Sequence, residues 1–94
     1  MKENYSYPLN PEWTTEEIIK VMQLWEVLEK VYENKVTAEE FNDAYRSFKE
    51  VVRSIGEERQ LGNEYEELTG YSLYRVAKLS RNQKTGPINK KELI

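Results

Sequence analysis

The chain contains no cysteine and no histidine. Without cysteine there is no disulfide, no thiolate nucleophile and no cysteine-type zinc site. Without histidine the commonest metal ligand is gone, and so is the one side chain whose unperturbed pKa lies near neutrality. A Ser–His catalytic triad is therefore excluded. The four glycines, Gly56, Gly62, Gly70 and Gly86, stand apart from one another, so no glycine-rich phosphate loop is present. No apolar run approaches the ~20 residues of a membrane-spanning helix. The segment Met1-Lys2-Glu3-Asn4-Tyr5-Ser6-Tyr7 lacks the apolar stretch of a signal peptide. The expectation is a cytoplasmic protein with no membrane contact, no cofactor and no metal.

What is present is aromatic and charged. Seven tyrosines, two tryptophans and two phenylalanines are too many for a disordered chain. Ninety-four residues make one domain with a core of only marginal size, which a partner or a second copy would help. Charge is uneven: residues 1–70 carry 8 basic and 16 acidic groups, a net of −8, whereas residues 71–94 carry 6 basic and 1 acidic, a net of +5. An acidic body thus ends in a basic stretch.

Three helix-start signals partition the middle of the chain. Thr14-Thr15-Glu16-Glu17, Thr37-Ala38-Glu39-Glu40 and Ser54-Ile55-Gly56-Glu57 each place a hydroxyl residue three positions before a glutamate, the pattern of a capping box. Residues 1–13 are read as extended, because Pro8 and Pro11 disfavour helix. Their apolar Tyr5, Tyr7, Leu9 and Trp13 imply a segment lying across the bundle. The first helix is predicted from about Thr15 to Glu33. Its broad stripe of Ile18, Val21, Met22, Trp25, Leu28 and Tyr32, widened by Ile19, Leu24, Val27 and Val31, makes it the central helix. Trp13 with Ile18, and Val36 with Phe41, are candidate hydrophobic staples. A second helix runs from about Ala38 to Arg53, burying Phe41, Ala44, Tyr45, Phe48, Val51 and Val52, and forms an antiparallel hairpin with the first. A third runs from about Ile55 to Thr69, stopped by Gly70. Its apolar face is thin, and Gly56 and Gly62 each cost about 1 kcal/mol against alanine, unless Gly62 serves a close backbone approach. A fourth, capped by Ser72, covers about Leu73 to Arg81. Residues 82–94 have no useful periodicity and are read as a disordered basic tail.

The fold class is therefore all-α: a small bundle of three main helices and a short fourth, in a single domain over 1–81, with the extended N-terminal segment packed across it. The expected core comprises Ile18, Val21, Met22, Trp25, Leu28, Phe41, Tyr45, Phe48, Val52, Leu61, Tyr65, Leu68 and Val76.

Three ordered blocks carry a family resemblance. They are Tyr5-Ser6-Tyr7-Pro8-Leu9 with Trp13-Thr14-Thr15-Glu16-Glu17, then Ala44-Tyr45-Arg46-Ser47-Phe48-Lys49-Glu50-Val51-Val52, then Glu57-Glu58 leading to Gly70-Tyr71-Ser72-Leu73-Tyr74-Arg75-Val76. In that order they resemble the YktA-like uncharacterised protein family of low-GC Gram-positive bacteria, over about residues 5–80. The resemblance implies a compact helical bundle in the bacterial cytoplasm and brings no activity, cofactor or catalytic residue. It also leads one to expect proline just before the third cap. Arg53 stands there instead, so a smoother passage between helices 2 and 3 is expected.

Few constellations offer chemistry. The pairs Glu16-Glu17, Glu39-Glu40, Glu57-Glu58 and Glu66-Glu67 could bind metal, but helical di-metal sites use inward Glu-x-x-His motifs, and first-turn glutamates are accounted for by the helix dipole. Tyr71, Tyr74 and Arg75 are candidates for an interaction surface, since Tyr and Arg are favoured anchors; against that, tyrosine is ordinary filler at a core's edge, and Tyr71 fits a third staple with Val76. Lys78 and Arg81 extend Arg75 along helix 4. These cations could meet phosphates, yet a pI of about 5.1 sits poorly with a nucleic-acid binder, and an acidic body repels phosphate. The leading expectation is a small non-enzymatic protein-interaction module, with Tyr71, Tyr74, Arg75, Lys78 and Arg81 as its surface. The alternative is an RNA- or ribosome-associated protein using the basic end, and a homodimer is open. An enzyme built from Glu, Asp, Tyr, Lys and Arg alone ranks last.

Overall fold

The computed structural model describes residues 7–83 and 85–88. Four helices follow one another: α1 (Thr15–Glu33), α2 (Ala38–Val51), α3 (Ile55–Thr69) and α4 (Leu73–Gln83). Among the described residues there is no β-strand, and the chain is the all-α bundle expected.

Helix starts follow the caps. At α1 the box closes both ways: Glu17 N–H donates to Thr14 Oγ1 at 3.2 Å and Thr14 N–H to Glu17 Oε1 at 2.9 Å. At α2 and α3 only the forward half forms, from Glu40 N–H to Thr37 Oγ1 and from Glu57 N–H to Ser54 Oγ. The predicted role of Glu40 as a reciprocal cap partner is thus corrected; neighbouring Glu39 instead accepts from Gly86 N–H at 3.0 Å. Between α2 and α3 the passage is abrupt. Val52 takes an extended conformation (φ −104°, ψ 98°) and so does Ser54. Cap geometry at Ser54 therefore breaks the helix without proline, and α2 ends two residues before the predicted Arg53.

Trp25 organises the core. Fully buried, it stacks on Tyr65 with ring centroids 4.5 Å apart and meets Phe48 edge-on at 5.7 Å. Its indole N–H donates to the Pro8 carbonyl at 3.3 Å, and its own carbonyl accepts from the Tyr65 hydroxyl at 3.0 Å. One side chain thus ties α1 to α2, α3 and the N-terminal segment. That segment packs across the bundle as expected: Pro8 is buried, Leu9 and Trp13 pack against the core, and the Tyr7 hydroxyl donates to Glu29 at 2.7 Å. Tyr5 lies outside the described residues.

Four expected core positions differ. Ile18 and Met22 are only half-buried, Tyr45 is half-buried with its hydroxyl on Glu58, and Leu68 is 40% exposed. Leu24 and Val31 of the wider α1 stripe are buried, as are Leu73 and Ala77 on the inward face of α4, together with Val36 and Ala38 at the start of α2. Within α4, buried Ser80 donates to Asn42 of α2 at 2.6 Å.

The C-terminal end also differs from expectation. α4 continues two residues beyond Arg81, and residues 85–88 pack onto the loop between α1 and α2. Ala38 N–H donates to the Gly86 carbonyl at 2.7 Å, Ile88 N–H donates to the Val36 carbonyl at 2.9 Å, and Ile88 is buried. A disordered tail from residue 82 does not describe these residues. Gly86, with φ +83°, supplies the left-handed turn that brings Ile88 back.

Candidate interaction surface

The α3–α4 hairpin is made by a short turn. Gly70 (φ 81°) ends α3 in the left-handed conformation, as helix C-termini commonly do. Ser72 Oγ then caps α4 by accepting from Arg75 N–H at 3.2 Å. The turn is pinned to the end of α1. Ser72 N–H donates to the Tyr32 hydroxyl at 3.1 Å, Tyr71 stacks on Tyr32 with centroids 4.4 Å apart, and the Tyr71 hydroxyl donates to Glu33 at 2.6 Å. Tyr71 is thereby a half-buried brace between α1 and the start of α4, at the edge of the core.

The other four candidate residues lie on the outer side of α4. Tyr74 is 70% exposed, and Arg75, Lys78 and Arg81 are exposed. At 3.6 residues per turn, steps of three drift about 60° backward each time. Arg75, Lys78 and Arg81 therefore fan across the helix rather than sharing one line. The tighter face is Tyr74, Lys78 and Arg81, at i, i+4 and i+7. That spacing is legible in the sequence itself.

Tyr74 stands between two depressions. On one side is a cleft of about 90 Å³ between α3 and α4, lined by Glu58, Arg59, Gly62, Glu66, Leu73 and Ala77 among others. On the other is an open hollow along α4 formed with Arg75, Lys78, Leu79 and Asn82. The cleft floor is apolar. Gly62 lines it, and a Cβ built there would sit 3.6 Å from Leu73 Cδ2, ordinary contact. The absence of a side chain is therefore not needed for close helix approach and instead leaves open surface.

Electrostatics around the cleft are set by Glu58, which accepts from the Tyr45 hydroxyl and from Lys49 Nζ at 2.6 Å. Burial first, and then the hydrogen bond to Glu58, push the Tyr45 hydroxyl well above the usual tyrosine range. Tyr7 is raised by burial and by Glu29. Tyr65 is raised by burial. All three hydroxyls stay neutral donors at physiological pH. Among the described residues no group of three or more Asp or Glu side chains gathers as a metal site, and no helix is long and apolar enough to cross a membrane.

The model of an uncharacterised protein family, UPF0223, matches residues 4–89 of the chain. This protein belongs to the UPF0223 family. A UPF0223 protein of Listeria monocytogenes serotype 4a is 48% identical over 84 residues, covering 89% of this chain and 93% of its own length. One from Streptococcus gordonii is 45% identical over 89 residues, covering 95% and 97%. One from Enterococcus faecalis is 42% identical over 85 residues, covering 90% and 92%. These are low-GC Gram-positive bacteria, as the resemblance of the three sequence blocks implied. UPF0223 carries no activity that could be transferred residue by residue, so the functional argument rests on the α4 surface.

Proposed function

We propose that this UPF0223 protein is a small non-enzymatic protein-interaction module of the bacterial cytoplasm, and that it recognises its partner through the outer face of α4. The carrying observation is Tyr74, 70% exposed on α4, beside an apolar cleft, with Lys78 and Arg81 one and two turns along the same helix face. An exposed tyrosine sharing a helix face with an arginine is the composition of interface anchors. A ring held by a helix also loses little freedom when a partner covers it. Against catalysis, the chain has neither histidine nor cysteine, which removes the usual neutral-pH general base and the thiolate nucleophile. A cysteine-free chain suits a reducing compartment.

Capture of tagged protein from a Gram-positive lysate tests the proposal. A stoichiometric protein partner should survive nuclease and be lost with Tyr74→Ala combined with Lys78→Glu, while the helical circular dichroism stays unchanged. Recovery that is indifferent to these substitutions counts against the surface. The basic charge of α4 favours a second reading, RNA or ribosome association. It predicts partners that disappear with nuclease and binding that weakens steeply with salt.

A further inference from the structure

Residues 85–88 reach back to the start of α2 and do two things there. They complete a cap, because the first N–H groups of a helix have no partner inside it. Thr37 Oγ1 serves Glu40 N–H, and the Gly86 carbonyl serves Ala38 N–H at 2.7 Å. The Glu39 side chain answers by accepting from Gly86 N–H at 3.0 Å. They also pair as an extended chain. Ile88 N–H donates to the Val36 carbonyl at 2.9 Å, Thr37 and Pro87 form an antiparallel bridge, and Ile88 joins the core at 5% exposure. Main-chain pairing with one seated apolar side chain is how extended peptides add to an open edge. The hold is short. Thr85 and Pro87 are exposed, and the other hydrogen bonds of the segment run to Gln83 at the end of α4. The ring cluster of Trp25, Tyr65 and Phe48 that organises the helices takes no part in it.

We propose that residues 85–88 are a detachable strap. It opens while the four helices stay folded, and the slot it leaves along Val36–Ala38 is a strand-pairing site whose occupant is this segment. Closed, the strap adds to the stability of the whole chain. Opening it costs less than unfolding the helices, since it releases one buried side chain and hydrogen bonds at the surface. The slot selects its occupant on two counts. The Val36 carbonyl and the Ala38 N–H flank Thr37 in the spacing that an antiparallel extended chain matches. Ile88 then fills the one apolar seat. Gly86 (φ +83°) turns its carbonyl and its N–H onto α2 in a conformation that suits glycine. The inference stands apart from the α4 surface, because Tyr74 belongs to the first turn of α4 and the strap follows the last.

Amide hydrogen exchange of the native chain tests the opening. After correction for intrinsic rates, the amides of Ala38, Gly86 and Ile88 should exchange together, at least about tenfold faster than those of α1 around Trp25, and with little response to low urea. Exchange at the rate and with the urea dependence of the α1 amides overturns the inference. Ile88→Asp in the full chain holds the strap open and should keep the helical circular dichroism. Loss of that signal also overturns the inference, because the open form would then be no more stable than the unfolded chain. The slot is tested on this open chain with a synthetic peptide of residues 83–88. A short tether supplies an effective concentration of about millimolar, so millimolar peptide should shift the backbone resonances of Val36, Ala38 and Glu39. The native chain, its slot filled, should respond at least about tenfold less, and the peptide carrying Ile88→Asp should not bind. An open chain that ignores the peptide, or a native chain that responds equally, overturns the slot.

Discussion

Trp25 and the rings around it carry much of the stability at the scale of single residues. Phe48 is fully buried and edge-on to Trp25, so Phe48→Ala is expected to cost about 3–5 kcal/mol, read from the urea midpoint. An unchanged midpoint would show that α2 faces the other way. The buried tyrosines predict a pH dependence. Tyr7, Tyr45 and Tyr65 have hydroxyls raised above the ordinary value, first by burial. Below about pH 10 they are neutral whether the chain is folded or not. As pH rises past that value the unfolded chain releases protons that the folded chain retains, so stability present below it is progressively lost. Thermal midpoints measured upward from pH 8 should therefore fall only in the alkaline range, and Tyr45→Phe should flatten the fall. Ring positions such as Trp25, Phe41, Phe48 and Tyr65 were legible from helical spacing. Their stacking partners were not, because spacing gives a face and not what lies opposite it.

Helix ends and glycines decide behaviour at the scale of elements. α3 is the least supported helix, touching the rest mainly through Tyr65, Leu61 and the Glu58 contacts with Tyr45 and Lys49. Two of its glycines separate two physical roles. At Gly62 the backbone is helical and a Cβ meets only ordinary contacts. Gly62→Ala should therefore stabilise by about 0.5–1 kcal/mol through the helix-propensity difference. Gly70 has φ +81°, where a side chain is strained, so Gly70→Ala should destabilise by about 1–2 kcal/mol. Opposite shifts of the thermal midpoint check the pair; shifts of the same sign would contradict the geometry at one of them. The α2–α3 break also belongs here. Proline was not required, since Ser54 in an extended conformation captures Glu57 N–H and ends the continuity by itself.

Both chain ends close the bundle at the scale of the whole molecule. Pro8 lies on Trp25, and Ile88 lies against the loop between α1 and α2 through the Thr37–Pro87 bridge. Ile88 is 5% exposed, so Ile88→Ala should cost about 2–5 kcal/mol in chemical unfolding. A cost near zero would mean that this end is not part of the cooperative unit. An acidic body with a basic α4 is likewise a property of the assembled molecule. The charges are visible in the chain, but their separation onto adjoining helices around an apolar cleft arises only when α3 and α4 fold back on each other at Gly70.

The four helices, the hydroxyl caps and the family were determined by the sequence alone, because capping and helical periodicity act within one turn of the chain. The exposure of Ile19, Ile55 and Leu68, the burial of Ile88, the bracing of Tyr71 by Glu33 and Tyr32, and the presentation of Tyr74 beside Lys78 and Arg81 were decided by the tertiary structure. Each depends on which distant segment occupies the space next to a side chain, and no local pattern records that neighbour.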